Sequence, residues 1–289
     1  MEVILAEHAG FCFGVQRAVD TVYERIENRG KEEPPIYTFG SIIHNEEVVS
    51  DLQRRGVNVL SSLAEAEQIP GEKRGTVIIR SHGVERCVSE RLRELGYEVT
   101  DATCPFVKRI HDIVEQESAA GKSIVIVGDE GHPEVEATRG WSHTKTYIVG
   151  SPEEAEKFAP PAGEELCVVS QTTFNYKKFQ DVVEILEKKG YNVSVVNTVC
   201  NATEVRQTEA RELASRADVM IVIGGNHSSN TRKLYEICRQ ECEATYHIRT
   251  LADLHLRLPE TVRLVGITAG ASTPNNIIEE VQNYVRINF

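Results

Sequence analysis

Short apolar runs recur down the whole chain, each breaking into a polar loop and then into a stretch with helical hydrophobic spacing. The runs and their loops read VILA (3–6), IYTFGSIIHN (36–45), TVIIRSHG (76–83), YEVTDATCP (97–105), SIVIVGDEGHPE (123–134), LCVVSQTT (166–173), YNVSVVNTVC (191–200), VMIVIGGNHSSN (219–230) and VGITAGAST (265–273). Strands alternating with helices predict parallel βαβ units. After Cys104-Pro105 a helix is expected with its apolar face at Phe106, Val107, Ile110 and Val114, which sets the cysteine at a strand-to-helix corner.

The pattern also has a long period. The corner at Cys104 recurs at Gly10-Phe11-Cys12 and at Val199-Cys200, about a third of the chain away on either side. Continuing in register from each cysteine, the next strand-end loops place His44, His132 and Ser228 in matching positions, and the loops of the fourth strands match His82, Thr172 and Ser272. Between them VLSSLAEAEQI (59–69), IVGSPEEAEKF (148–158) and HIRTLADLHLRL (247–258) each read as a short strand, a Ser or Thr cap and a short helix. Near-identical joints, GYEV at 96–99 and GYNV at 190–193, close the first two units. The expected architecture is three homologous α/β units, 1–96, 97–190 and 191–289, with small, mainly parallel sheets related by a pseudo-threefold axis.

With 289 residues and 40 % hydrophobic content there is material for a substantial core. The net charge of −12 lacks the basic face that nucleic acid or an anionic membrane requires. No run reaches membrane-span length, and the start MEVILAEHAG has no signal-peptide pattern, so a cytoplasmic location is expected. Seven cysteines make an odd set with no CxxC pair, which argues for reduced thiols. Cys87, Cys167, Cys238 and Cys242 lie outside the repeat register and are expected to be ordinary semi-buried residues.

The three cysteines in register carry the first chemical inference. Equivalent positions about a threefold axis are equidistant from it, so Cys12, Cys104 and Cys200 are expected to converge. Three thiolates suit a soft metal site. Structural zinc wants a fourth ligand that no repeat supplies in phase, whereas a cubane iron–sulfur cluster on three cysteines leaves one iron open as a Lewis acid. The second inference comes from the loops beyond the carboxyl ends of the strands, where parallel α/β units bind ligands. Their imidazoles, hydroxyls and amide (His44, His82, His132, Thr172, Ser228, Ser229, Asn230 and Ser272) form an anion cradle fit for a phosphate or diphosphate, and Glu134 is the lone carboxylate able to transfer a proton. Taken singly, Ser228, Asn230, Thr172, Thr173 and Ser272 would each serve as a helix cap, and Glu134 as a first-turn acid. Neither a GxxxxGK[ST] loop nor a GxGxxG fingerprint occurs, so electrons are expected from another protein.

The ordered set GFCFGV, IIHN, RSHGV, DATCP, GHPEVE, SQTT, CNAT, SSNT and AGAST resembles the 4-hydroxy-3-methylbut-2-enyl diphosphate reductase family over nearly the whole chain. The resemblance implies a 4Fe-4S cluster, one per chain, bound by Cys12, Cys104 and Cys200 with one open iron. It implies that His44, His82, Ser228, Ser229, Asn230 and Ser272 hold the diphosphate, that His132 lies along the substrate, and that Glu134 donates a proton with Thr172 linking it to the substrate hydroxyl. The implied reaction removes that allylic hydroxyl as water with two electrons and yields isopentenyl and dimethylallyl diphosphate, the last step of the non-mevalonate pathway. A ferredoxin- or flavodoxin-type donor is the implied protein partner. Asn226-His227 stand where the resemblance suggests Lys-Asn. Other readings of the same cysteines are a three-cysteine hydro-lyase or quinolinate-synthase-like enzyme, which would consume no reductant, and a non-catalytic iron–sulfur or zinc redox sensor, which would have little need of Glu134 and Thr172.

Overall fold

A computed structural model of the chain describes residues 1–30, 33–256, 259 and 261–289. In chain order the first elements are β1 (Glu2–Leu5), α1 (Phe13–Glu27), β2 (Ile36–Phe39), α2 (Glu46–Arg54), β3 (Val57–Leu60), α3 (Leu63–Gln68), β4 (Thr76–Ile79) and α4 (Arg86–Glu94). They continue with β5 (Glu98–Asp101), α5 (Pro105–Ala119), β6 (Ser123–Val127), α6 (Pro133–Arg139), β7 (Thr146–Val149), α7 (Pro152–Lys157), β8 (Glu165–Ser170) and α8 (Tyr176–Lys188). The last are β9 (Asn192–Val195), α9 (Asn201–Ala214), β10 (Val219–Ile223), α10 (Ser229–Glu241), β11 (Thr245–Ile248), β12 (Leu264–Ala269) and α11 (Asn275–Asn288).

The strands form three four-stranded parallel sheets with one topology, β3-β2-β4-β5, β7-β6-β8-β9 and β11-β10-β12-β1. The α/β class and the triplication are therefore as expected. Each sheet takes its outer strand from across a repeat boundary: β5 lies beyond position 96, β9 beyond position 190, and β1 comes from the start of the chain. A cysteine corner thus follows the outer strand of every sheet. The central strands β4, β6, β8 and β10 are buried almost throughout, which explains their unbroken apolar runs.

By chain packing the molecule divides into Met1–Val15, His44–Val48 and Cys200–Phe289 as one unit, and Gln16–Ile43 with Val49–Val199 as the other. In the first unit, α11 covers one face of its sheet through Ile277, Ile278, Val281 and Val285. The other face packs on Ala210, Leu213 and Ala214 of α9 and Leu234 and Cys238 of α10. The second unit holds the other two sheets. There α8 buries Phe179, Val182 and Leu186 on one face of the β6–β9 sheet, while α5 packs Ile110 and Val114 against the other. Burying one such side chain is worth about 2 kcal/mol.

The joints at Gly96 and Gly190 both have positive φ, +89° and +74°, and end α4 and α8. The chain reverses there through a left-handed residue, which glycine takes without a Cβ penalty. Ser62 caps α3 and Ser151 caps α7, as expected. The third equivalent segment differs, because Thr250 caps a single 3₁₀ turn, Leu251–Asp253, closed reciprocally by the Asp253 side chain. The remainder of that expected helix includes Arg257 and Leu258, which lie outside the described residues.

Two further expectations need correction. Phe106 is 44 % exposed, so the apolar face of α5 is Val107, Ile110 and Val114 without it. Its position in the first turn puts it one residue off the buried stripe. Among the off-register cysteines, Cys87 is exposed while Cys167, Cys238 and Cys242 are fully buried, so none is semi-buried. Burial and the neighbouring Cys242 push the Cys238 thiol up to about 12, which leaves it a protonated core residue. No helix among the described residues is long and apolar enough to cross a membrane.

Candidate active site

In the second unit the loop after β6 turns into α6 at His132-Pro133-Glu134. His132 is the helix N-cap, and its Nδ1 accepts the Glu134 backbone N–H at 3.1 Å. An accepting Nδ1 makes the ring neutral with its proton on Nε2, so Nε2 is a hydrogen-bond donor. Glu134, one residue inside the helix, is 1 % exposed. Its Oε1 accepts the backbone N–H of Thr172 at 2.6 Å and its Oε2 accepts the Thr172 hydroxyl at 2.7 Å. Burial raises this carboxyl from 4.5 to about 7, and the two bonds from Thr172 pull the other way without cancelling it.

Thr172 itself follows β8, and its place is set by Gln171. The Gln171 backbone N–H donates to the Val127 carbonyl at 2.9 Å, its side-chain oxygen accepts from Asp129 N–H at 3.0 Å, and its amide nitrogen donates to the Thr173 hydroxyl at 2.9 Å. One buried side chain therefore ties the loop after β8 to the loop after β6. In the sequence Gln171 stands only as a neighbour of Thr172; its buried position became visible once the two loops were adjacent.

The His82 loop, after β4, comes to the same place. The His82 and His132 rings meet edge-to-face with centroids 5.5 Å apart. Ser81 bonds the Ile42 carbonyl through both its N–H and its hydroxyl, and its own carbonyl accepts the Cys104 N–H at 3.0 Å. Behind the loop, His111 stacks on Trp141 at 5.0 Å, and Trp141 Nε1 donates to the Val84 carbonyl at 3.0 Å. Burial depresses His111 to about 4, so it is a neutral packing ring. The structure thus brings together Glu134, Thr172, His132, His82 and the Cys104 corner.

The first unit assembles the remaining loops. Ser272 donates its hydroxyl to the His44 carbonyl at 3.1 Å. A Cβ on Gly225 would stand 2.9 Å from that same carbonyl oxygen, so only glycine lets the loop after β10 pass so close. Ser228 caps α10, its Oγ accepting the Thr231 N–H at 3.3 Å. Ser229 and Asn230 are buried behind it, and neither polar atom of the Asn230 amide has a hydrogen-bond partner. Leaving a buried amide unsatisfied costs about 1–3 kcal/mol in the ligand-free fold. Asn226 and His227 are exposed.

Of the side chains that could have been helix caps, Ser228 alone serves as one. Asn175 caps α8, and Pro274 stands at the cap position of α11, so Thr172, Thr173 and Ser272 do other work. Cys12 sits beside the β12 loop, its N–H bonded to the Ala271 carbonyl at 3.3 Å. Cys104 and Cys200 occupy the cap positions of α5 and α9 without a side-chain capping bond. All three are half-buried, and none forms a disulfide.

Fold and site together define a triplicated parallel α/β protein with a buried acid–hydroxyl pair, a neutral imidazole at His132 packed edge-to-face on His82, and register-related thiols at its strand ends. The chain belongs to the LytB protein family, whose sequence profile matches residues 3–286. It is 46 % identical over 281 residues to the 4-hydroxy-3-methylbut-2-enyl diphosphate reductase of Caldanaerobacter subterraneus subsp. tengcongensis, covering 97 % of this chain and 95 % of that one. Among solved structures it is similar to the E-1-hydroxy-2-methyl-but-2-enyl-4-diphosphate reductase from Plasmodium falciparum, with a TM-score of 0.88 at 28 % identity, covering 99 % of this chain and 87 % of that one. It is also similar to (E)-4-hydroxy-3-methyl-but-2-enyl diphosphate reductase, described as the terminal enzyme of the non-mevalonate pathway, with a TM-score of 0.68 at 42 % identity over 98 % of both chains.

Proposed function

We infer that this protein reduces (E)-4-hydroxy-3-methylbut-2-enyl diphosphate, taking up two electrons and two protons, releasing the allylic hydroxyl as water and forming isopentenyl or dimethylallyl diphosphate. Cys12, Cys104 and Cys200 are the ligands of one 4Fe-4S cluster in this reading. Three observations support the fit: none of the thiols is in a disulfide, they stand at equivalent strand-to-helix corners, and Cys12 and Cys200 lie within electrostatic reach of the buried Arg206 guanidinium. When bound, such a cluster supplies electrons and a Lewis-acidic iron.

The protein's own residues do the rest. The diphosphate is held by donors that carry little desolvation cost: the imidazoles of His44 and His82, the hydroxyls of Ser228, Ser229 and Ser272, and the Asn230 amide. Anchoring that end restricts where the hydroxyl end can lie, which converts binding energy into orientation. His132, neutral with its proton on Nε2, donates that N–H along the substrate. Glu134 holds a proton near neutral pH, and Thr172 passes it on, because a hydroxyl can donate to the carboxylate in one state and accept from the acid in the other.

The observation that carries this chemistry is the Glu134–Thr172 pair: a carboxyl 1 % exposed whose proton affinity suits an acid working near pH 7. A ferredoxin- or flavodoxin-type protein is the proposed electron donor, supported by the absence of dinucleotide and phosphate-loop motifs. The test is an anaerobic assay with a low-potential reductant and the hydroxymethylbutenyl diphosphate, following both products. Reductant-dependent formation of the two diphosphates is expected; an iron-replete preparation that leaves the substrate untouched, or that dehydrates it without consuming reductant, would overturn the assignment.

A further inference from the structure

Arg206 sits on α9, under two turns beyond Cys200, in a stripe of buried positions that also includes Thr203, Gln207, Ala210 and Leu213. A charged side chain 4 % exposed in such a stripe is unusual and calls for a partner. Its bonds go to backbone carbonyls: Nε donates to His8 O at 2.7 Å and Nη2 to Gly10 O at 2.8 Å. Nη1 is buried with no hydrogen-bond partner. The ionisable groups within its electrostatic reach are Cys12, Glu209 and Cys200.

Two consequences follow from this placement. The carbonyls of His8 and Gly10 belong to the loop that delivers Cys12, and the helix carrying Arg206 begins at Cys200, so one planar fork braces both cysteine corners. Its two hydrogen bonds go to neutral carbonyls, which do not neutralise it, so its field remains for the sulfurs, and a guanidinium does not shed its proton. We propose that Arg206 is a positioning and charge-compensating residue for the thiolate cluster: it clamps the Cys12 loop to the Cys200 helix and, as a fixed buried cation, makes the cluster easier to reduce. The proposal rests on the reading that Cys12 and Cys200 are cluster ligands. A metal centre on three thiolates becomes more negative on taking up an electron, and a cation held in a low-dielectric site favours that state. Glu209, whose carboxylate accepts the backbone N–H groups of Glu7 and His8, is an anion near the same guanidinium and would work against it.

The test uses the anaerobically prepared holoenzyme of the parent, Arg206→Lys, Arg206→Gln and Glu209→Gln. Iron and sulfide content and a spectroscopic redox titration are recorded for each. Arg206→Lys keeps the charge and should hold the parent potential with modest loss of iron, while Arg206→Gln should shift the potential clearly negative. Glu209→Gln should shift it positive. An Arg206→Gln cluster titrating at the parent potential overturns the charge-compensating role, and so does an unshifted Glu209→Gln if Arg206→Gln fails to accumulate. Full iron retention in both Arg206 variants overturns the clamp. Absence of iron and sulfide from the parent would instead remove the cluster reading itself, so the two failures are distinguishable.

Discussion

Thr172 meets Glu134 twice, with its backbone N–H on Oε1 at 2.6 Å and its hydroxyl on Oε2 at 2.7 Å. The first bond fixes the carboxyl plane, and the second gives it an exit for a proton.

Because burial lifts Glu134 from 4.5 to about 7, turnover should fall as pH rises through about 7 and the acid is lost. Glu134→Gln should bind the diphosphate and keep its iron while turning over at least 100-fold more slowly, with that pH limb gone. Rates near the parent's would remove Glu134 from the reaction.

The same shift predicts a stability signature in the metal-free protein. A group whose folded pKa lies above its unfolded value contributes stability that is fully present below about 4.5 and is lost as pH rises through about 7. Parent stability relative to Glu134→Gln should therefore fall by roughly 3 kcal/mol across that interval, measured by denaturant unfolding at several pH values. A flat difference would contradict the buried-acid assignment.

Thr172→Ser keeps both contacts and should retain activity within a few-fold. Thr172→Val keeps the N–H bond, removes the hydroxyl and should lower kcat by about 100-fold. Since the hydroxyl bond lowers the Glu134 pKa, its loss should also move the pH limb upward. Equal activity of the serine and valine variants would exclude a proton path through the hydroxyl.

Asn230→Ala removes an amide whose oxygen and nitrogen are both buried without partners. Ligand-free thermal stability should be unchanged or raised, while affinity for the diphosphate falls about 10-fold, the usual cost of losing one hydrogen bond to a charged group. Calorimetry with inorganic diphosphate reads the second effect; a large loss of ligand-free stability would mean that the amide serves the fold.

Cys104→Ser should lose iron and sulfide together with activity. The mutated residue caps α5 without a side-chain bond, so circular dichroism should remain that of the parent. Retention of full iron content would remove Cys104 from the ligand set.

Much of this was legible along the chain because a parallel sheet buried on both faces writes itself as unbroken apolar runs, and β4, β6, β8 and β10 do so. The repeat register likewise pointed to Glu134, Thr172, Ser228 and Asn230 as strand-end residues. It could not say which of them also cap a helix, since Ser228 and Thr172 carry equivalent hydroxyls. Only Ser228 received a helix N–H, and Thr172 received a buried carboxylate.

The order of strands and helices, the three-part phase and the chemistry-bearing loops follow from hydrophobic periodicity and glycine placement, which are local properties of consecutive residues. Tertiary structure decided what depends on partners distant in the chain. It gave each sheet its outer strand from across a repeat boundary, raised Glu134 by withdrawing water from it, and made Gln171 a brace between loops. It also buried Arg206 against the carbonyls of His8 and Gly10. The physical reason is that burial and electrostatic environment are set by whichever surface closes over a residue, and that surface comes from elsewhere in the chain.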